Sequence, residues 1–315
     1  MNYKRVAYAS STRSTYCSMR NAYLRFCLYF GKSPVPAEKD TLLTYMVFLA
    51  RSLSASSISS YMNVIRLMHL EAGFENPLDE FELSLLSRGI KRTLGRPPSQ
   101  KLPITPEILL SIRNVLNLNS SKDRAFWCAC IVGFLGFFRK STLLPKNKSC
   151  LKQSLLIKDV SISNEGDVMN IIVRHTKTIQ FGQRVLSLPF YKAQKVELCP
   201  VRAMIDMLAG LKGLFHHISD QPLFSFVNEV GGLGYLDHCE FVRQLKHCIK
   251  LCGLDVQMYS GHSFRRGGCT FAFALGLSPV LIKLRGDWRS NAYERYVTVS
   301  ESQQLGIARA LSTGL

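Results

Sequence analysis

Acidic side chains are scarce in this 315-residue chain: 22 Asp and Glu face 40 Lys and Arg, a formal net charge of +18. A folded chain that repels itself this strongly points to a polyanion, nucleic acid first and an anionic membrane surface second. Long hydrophobic runs are missing as well. The longest, 125–138, lies between Arg124 and Arg139 and falls short of the roughly 20 residues a spanning helix needs. It reads as a buried core helix, and no membrane partner is expected. The opening MNYKRVAYAS has basic residues without an apolar stretch, so it does not read as a signal peptide. Regular cysteine spacing is also absent. The ten cysteines include no CxxC pair, and they read as reduced thiols of an intracellular protein. His238, Cys239, His247, Cys248 and Cys252 crowd one segment but fit no standard zinc spacing. On a helix over 236–252, Cys248 and Cys252 would line an apolar face with Phe241 and Leu245.

What is present is globular: 47% hydrophobic and 10% aromatic residues, enough for one large domain or two ordinary ones. Tyr16, Met19, Tyr23, Phe26, Cys27 and Phe30 follow helical spacing after a capping-type run at 10–15. Leu42, Tyr45, Met46 and Leu49 repeat it, as do Ile58, Tyr61, Ile65 and Met68, and a fourth helix is expected over 78–90. Residues 1–66 hold nine Lys or Arg against Glu38 and Asp40, an imbalance suited to a DNA-facing surface. Pro97, Pro98 and Pro103 then break the helical pattern. The reading is a helical domain over 1–94, a basic linker over 95–104, and a second domain over 105–315. Thr105-Pro106-Glu107 caps a new helix. Strands are expected over 155–161, 168–174 and 184–188, the first two around a turn at 164–166. A helix is expected over 201–211, and helix again from 236 onward. The fold class is therefore mainly α with one small antiparallel β-sheet.

Several local features carry possible chemistry, each weak alone. His262-Ser-Phe-Arg265 is an H-x-x-R at a helix start, a motif short enough to arise by chance. Arg139 ends the apolar run, where an arginine is ordinarily a solvent-facing cap. Lys177 sits between the second and third strands, ordinarily a turn position. Trp288 reads by default as a core aromatic, and Tyr296 could simply pack.

Taken in order, Arg139, Lys177, His262, Arg265, Trp288 and Tyr296 resemble the catalytic set of the tyrosine recombinase (phage integrase) family, with Lys in a hairpin and the rest on helices. The match covers essentially the whole second domain, and the first resembles that family's core-binding domain. The stretches over 87–105 and 261–296 look closest to recombinases of eukaryotic mobile elements, the DIRS, Ngaro and Crypton groups, among them retrotransposons. The resemblance implies a two-domain, C-shaped clamp on double-stranded DNA, working without metal ion or ATP. It also implies a homo-oligomer, a dimer on one site and a tetramer in synapsis, and action in the nucleus.

The chemistry wants these residue types. Opening a phosphodiester while keeping its energy calls for a nucleophile such as the Tyr296 hydroxyl, which stores the bond as a phosphotyrosyl ester. A phenol titrates near pH 10, so it needs positive surroundings and a proton acceptor, the part given to His262. Arg139 and Arg265 can fork onto the non-bridging oxygens. Lys177 can protonate the leaving 5′ oxygen, and Trp288 offers an indole N–H. Three departures stand out. Many family members carry an acid three residues after the first arginine, where this chain has Thr142. Trp288 holds a place often filled by His, and its spacing to Tyr296 is one residue shorter than in bacterial members. Tyr293 and Tyr296 are i, i+3 neighbours, so spacing alone leaves both open; family register favours Tyr296. Arg266, Arg285 and Arg289 read equally as DNA contacts or plain surface. Leu305, Ile307, Ala308 and Leu311 give the C-terminal end a near-helical apolar face that could dock on a neighbouring subunit. Two other activities fit part of the pattern: type IB topoisomerase-like relaxation, and a catalytically silent DNA-binding protein derived from a recombinase.

Overall fold

The computed structural model describes residues 7–95, 100–179, 182, 184–211, 218–297 and 301–313. Contacts divide the chain into two compact units, 1–99 and 100–315.

In the first unit the described residues form α1 (Ser10–Tyr29), α2 (Lys39–Ala50), α3 (Ala55–Glu71) and α4 (Phe81–Leu94). The 3.6-residue spacing turns one face of each helix inward. Tyr23, Phe26, Leu42, Tyr45, Ile58, Ile65 and Leu83 meet in a single core. The run 10–15 lies inside α1 rather than capping it, because Ala9 occupies the N-cap with no side-chain bond. His69 is buried in α3. Its Nε2 accepts the Ala37 amide at 2.9 Å, so its Nδ1 is the nitrogen that donates to the Ile65 carbonyl, also at 2.9 Å. Part of the basic excess is spent inside this unit. Arg20 pairs with Glu71 at 2.7 Å and Lys39 with Glu82 at 3.1 Å, so neither is a wholly uncommitted DNA-facing charge.

The second unit is built around α6 (Ser121–Leu135), whose residues from Ala125 to Phe134 are all buried. An apolar run without polar relief must be covered on every side. The cover comes from α5 (Pro106–Asn114), α7 (Lys140–Leu143), the sheet of β1 (Val160–Ile162), β2 (Val168–Val173) and β3 (Leu186–Tyr191), and α8 (Pro200–Ala209). Next in the chain come the hairpin of β4 (Ser225–Val227) and β5 (Leu233–Tyr235), then α9 (His238–Leu251), α10 (Gly261–Ala274) and α11 (Pro279–Arg285), of which β4 and α10 also pack directly on α6. The chain ends in α12 (Glu301–Thr313). Among the described residues no helix is long and apolar enough to cross a membrane. The first sheet is antiparallel in the order β1-β2-β3, with Met169 opposite Phe190 and Ile171 opposite Leu188 on its buried face. Cys248, Phe241 and Leu245 do join the core from α9, with Cys252 packed at its margin.

Four expectations shift. The first strand starts at Val160, not 155, because Asp159 folds back to accept the Leu156 amide at 3.0 Å and closes a 3₁₀ turn. Leu155 instead receives the Leu223 amide at 2.8 Å. The third strand starts at Leu186, since the Arg184 side chain turns away to an ion pair with Asp287. A second small sheet, β4–β5, was not expected; Asn228 Oδ1 ties its turn by accepting the Gly232 amide at 2.8 Å. Finally, 101–104 belongs to the second unit rather than to a free linker. The Leu102 amide donates to Met258 at 2.8 Å, the Ile104 amide donates to Ser263 at 3.0 Å, and Ile104 is fully buried. Gly267 of α10 permits this closeness, because a Cβ there would collide with the Ile104 carbonyl; Gly268 does the same for the approach of α6, where a Cβ would collide with the Phe134 carbonyl.

Candidate active site

Arg265 sits on the first turns of α10 and is 2% exposed. Its fork is held by two backbone carbonyls, Phe137 on Nη1 and Gly286 on Nη2, the latter at 2.7 Å. The residues around both acceptors bend sharply: Phe137 has φ +50° and Asp287 φ +53°. Non-glycine residues rarely adopt this region, and here the two bends aim both carbonyls at one guanidinium. Burial, then the nearby Arg139 charge, hold the guanidinium below its ordinary value, and the adjacent Tyr296 works in the opposite direction. The remaining donor, Arg265 Nε, is buried without a partner, as is Trp288 Nε1.

Trp288 lies in the turn after α11, with the Arg265 guanidinium carbon 3.8 Å from its ring centroid. The Tyr296 ring is 5.4 Å from Trp288 and 5.3 Å from that guanidinium. Tyr296 follows a 3₁₀ turn over Asn291–Arg295; its carbonyl accepts the Thr270 hydroxyl at 3.0 Å, which fixes the backbone while the ring stays half-exposed. Tyr293 instead packs into the core with Phe137, Ile282 and Trp288.

Arg139 is half-buried at the N-cap of α7. His262 is the second residue of α10, where Ser260 Oγ accepts its amide at 3.2 Å. Its ring keeps an exposed edge. Desolvation of the rest, then the charges of Arg265, Lys140 and Arg139, hold it below the ordinary imidazole value of 6.5. Near neutral pH it is therefore an uncharged base. Lys177 is exposed in the connection from β2 to β3, and the residues on either side of it, Thr176 and Thr178, hydrogen-bond to the carboxylate of Asp287.

Five of the six residues thus converge by ring contact or electrostatics, and Lys177 joins through its flanking threonines. The expectation that all but Lys177 lie within helices does not hold. Arg139, Trp288 and Tyr296 occupy helix ends and turns, where backbone departs from helical geometry and side chains can be re-aimed. Thr142 is buried and lines one small cavity with Arg139, Arg265 and Asp287. Sequence reading missed Asp287, for which position beside Trp288 was the available signal. It also left Arg285 open between DNA contact and surface. Arg285 is an internal tie: Nε donates to Leu135 at 3.1 Å, Nη1 to Pro189 at 2.7 Å, and the guanidinium lies 4.5 Å from the Phe190 ring. Arg289 donates to the Thr178 carbonyl at 3.3 Å. Among the described residues no cluster of His, Cys, Asp or Glu is arranged to hold a metal ion.

No protein-family model matches the chain. It is 27% identical over 273 residues to an integrase/recombinase xerD homolog of Selenomonas ruminantium, covering 84% of this chain and 74% of the relative. In fold it is similar to the Tn1549 transposon integrase in complex with transposon right end DNA (TM-score 0.61, 15% identity, 98% and 96% of the two chains). It is also similar to a lambda integrase dimer bound to a core site (0.60, 10%, 94% and 75%) and to the XerH recombinase in a post-cleavage complex with its palindromic difH substrate (0.58, 13%, 91% and 75%). The chain is thus similar in sequence to an integrase/recombinase and shares the fold of the integrase and recombinase structures it resembles.

Proposed function

We propose that the chain cuts and rejoins double-stranded DNA at specific sites through a 3′-phosphotyrosyl intermediate at Tyr296. The observation that carries this reading is the pair of buried, unpartnered donors, Arg265 Nε and Trp288 Nε1, beside the half-exposed Tyr296 ring. An unsatisfied buried donor costs about 1–3 kcal/mol. A phosphate oxygen bound against either donor would satisfy it and bring the negative charge the surrounding cations lack. Tyr296 Oη then attacks phosphorus as the P–O5′ bond breaks. Neutral His262 takes the phenolic proton, Arg139 and Arg265 hold the non-bridging oxygens as charge grows, and Lys177 gives a proton to the departing O5′. A free 5′ hydroxyl from a second strand reverses the step, so the bond energy is conserved and neither ATP nor a metal ion is called for.

The finer assignments rest on narrower grounds. A homo-oligomer is supported by an apolar groove of about 560 Å³ lined by Phe134, Leu186, Phe271, Leu275, Leu281 and Leu284, and by α12, whose Leu305 is 62% exposed; the side chains of Ile307 and Leu311 lie outside the described set. We assign α12 of a second copy to that groove. Mobile-element origin of the eukaryotic type, and nuclear action with it, rests on the stretches over 87–105 and 261–296 alone. The test of function is strand exchange in EDTA between two differently labelled duplexes carrying a site recovered by covalent capture from randomised duplexes. Joined products support a recombinase. Relaxation of supercoiled plasmid by monomers without exchange would favour the topoisomerase reading, and salt-sensitive binding without any covalent step would favour a silent DNA-binding protein.

A further inference from the structure

Asp287 is 8% exposed, and its backbone is bent into the left-handed region. Its carboxylate reaches neither Arg139 nor Arg265 among the hydrogen bonds of the described residues. It turns to the connection between β2 and β3. Oδ2 accepts the hydroxyls of Thr176, at 3.0 Å, and Thr178; Oδ1 pairs with Arg184. Thr176 Oγ1 in turn accepts the amides of Thr178 at 3.1 Å and Ile179 at 3.0 Å, and Ile179 is fully buried. Arg289 Nη2 adds a bond to the Thr178 carbonyl at 3.3 Å. One buried carboxylate therefore grips the loop on both sides of Lys177 and again seven residues later.

The neighbours of Asp287 belong to the site itself. The Gly286 carbonyl holds Arg265 Nη2, and the Trp288 ring stacks against the same guanidinium. The tripeptide 286–288 thus fixes a phosphate-binding arginine with its first and last members and the lysine loop with its middle one.

We propose that Asp287 is the positioning residue for Lys177: its carboxylate holds the β2–β3 connection so that the lysine ammonium meets the leaving 5′ oxygen. This rests on the proposed role of Lys177 as proton donor. In the step concerned, the P–O5′ bond breaks as the Tyr296 O–P bond forms, and a proton passes from Lys177 Nζ to O5′. A lysine on an unanchored exposed loop samples many positions, so the probability of that transfer falls with the anchor.

The experiment compares cleavage of a normal duplex with cleavage of one whose bridging 5′ oxygen is sulfur, a leaving group that departs without protonation. Wild type, Lys177→Ala, Asp287→Ala and the double variant Thr176→Val/Thr178→Val are measured, each after DNA binding is confirmed. General acid catalysis is worth about 10²–10⁴ in rate. On the oxygen substrate Lys177→Ala is expected to lose at least about 10²-fold, and Asp287→Ala and the threonine variant about 10-fold or more. On the sulfur substrate all three are expected within about 3-fold of wild type. The threonine variant keeps the Asp287–Arg184 pair and so guards against a fold defect in Asp287→Ala. Equal slowing of Asp287→Ala and the threonine variant on both substrates, or no slowing on oxygen, overturns the proposal. Rescue of neither lysine nor aspartate variant removes the proton-donor role as well, and a wild type that cleaves neither substrate removes the recombinase reading beneath both.

Discussion

The guanidinium of Arg265 lies 3.8 Å from the Trp288 ring centroid, and the same ring is 5.4 Å from Tyr296. Trp288 is thus a wall shared by Arg265 and Tyr296. Gly286 makes that wall possible, since a Cβ there would run into the Trp288 ring. Trp288→Phe should keep the stacking and lose the indole N–H, slowing cleavage by about 10²-fold, the scale of one transition-state donor, with DNA affinity unchanged. Gly286→Ala should slow cleavage further by displacing the ring. Single-turnover cleavage rates on the selected site check both.

Arg265→Lys should be costlier than its retained charge suggests. A lysine cannot fork, so the Phe137 and Gly286 carbonyls would compete for one ammonium. We expect a loss of about 1–3 kcal/mol in unfolding free energy from the unmet buried groups and a cleavage loss of at least about 10²-fold. Denaturant unfolding and cleavage rates measure the two effects separately.

In the proposed mechanism His262 would set the acid limb of the reaction. Its folded pKa lies below 6.5, so between the folded value and 6.5 the unfolded chain binds more protons than the native one. The stability tied to neutral His262 is fully present above 6.5 and is lost as pH falls through the folded pKa. Activity follows the same direction, because only the neutral ring accepts the tyrosyl proton. Cleavage should stay flat from pH 8 to about 7 and fall with a midpoint below 6.5. In His262→Gln that limb should vanish and the plateau should drop.

DNA binding should weaken linearly in log–log form with salt, by a slope of about −0.9 for each phosphate neutralised. Arg139→Ala should make the slope shallower by about 1. Tyr296→Phe should leave it unchanged, since the substitution removes no cation. Fluorescence anisotropy titrations between low and moderate salt read the slopes.

How much of this was legible beforehand follows from the range of the forces involved. Helical spacing located α1 to α4, and the all-apolar stretch from Ala125 revealed α6, because burial periodicity is local. The order of Arg139, Lys177, His262, Arg265, Trp288 and Tyr296 carried the resemblance on which the proposed chemistry rests. The strand expected at 155 failed because the Asp159 side chain outcompeted a strand hydrogen bond within four residues. Asp287 stayed hidden for a different reason. Its partners Thr176, Thr178 and Arg184 are more than a hundred positions away, and no spacing rule spans that distance. Spacing alone left Tyr293 and Tyr296 equivalent, and their different surroundings are tertiary: the first is buried in a core and the second is half-exposed beside Arg265.

The measurement that bears most directly on the account is covalent capture. The protein is incubated in EDTA with a pool of randomised, nicked duplexes, and the DNA that remains attached after SDS is sequenced. Wild type and Tyr293→Phe are expected to form a metal-independent adduct on one shared sequence, and Tyr296→Phe to form none while binding the same DNA. An adduct that survives in Tyr296→Phe, or one that forms only when a divalent cation is restored, would contradict the account.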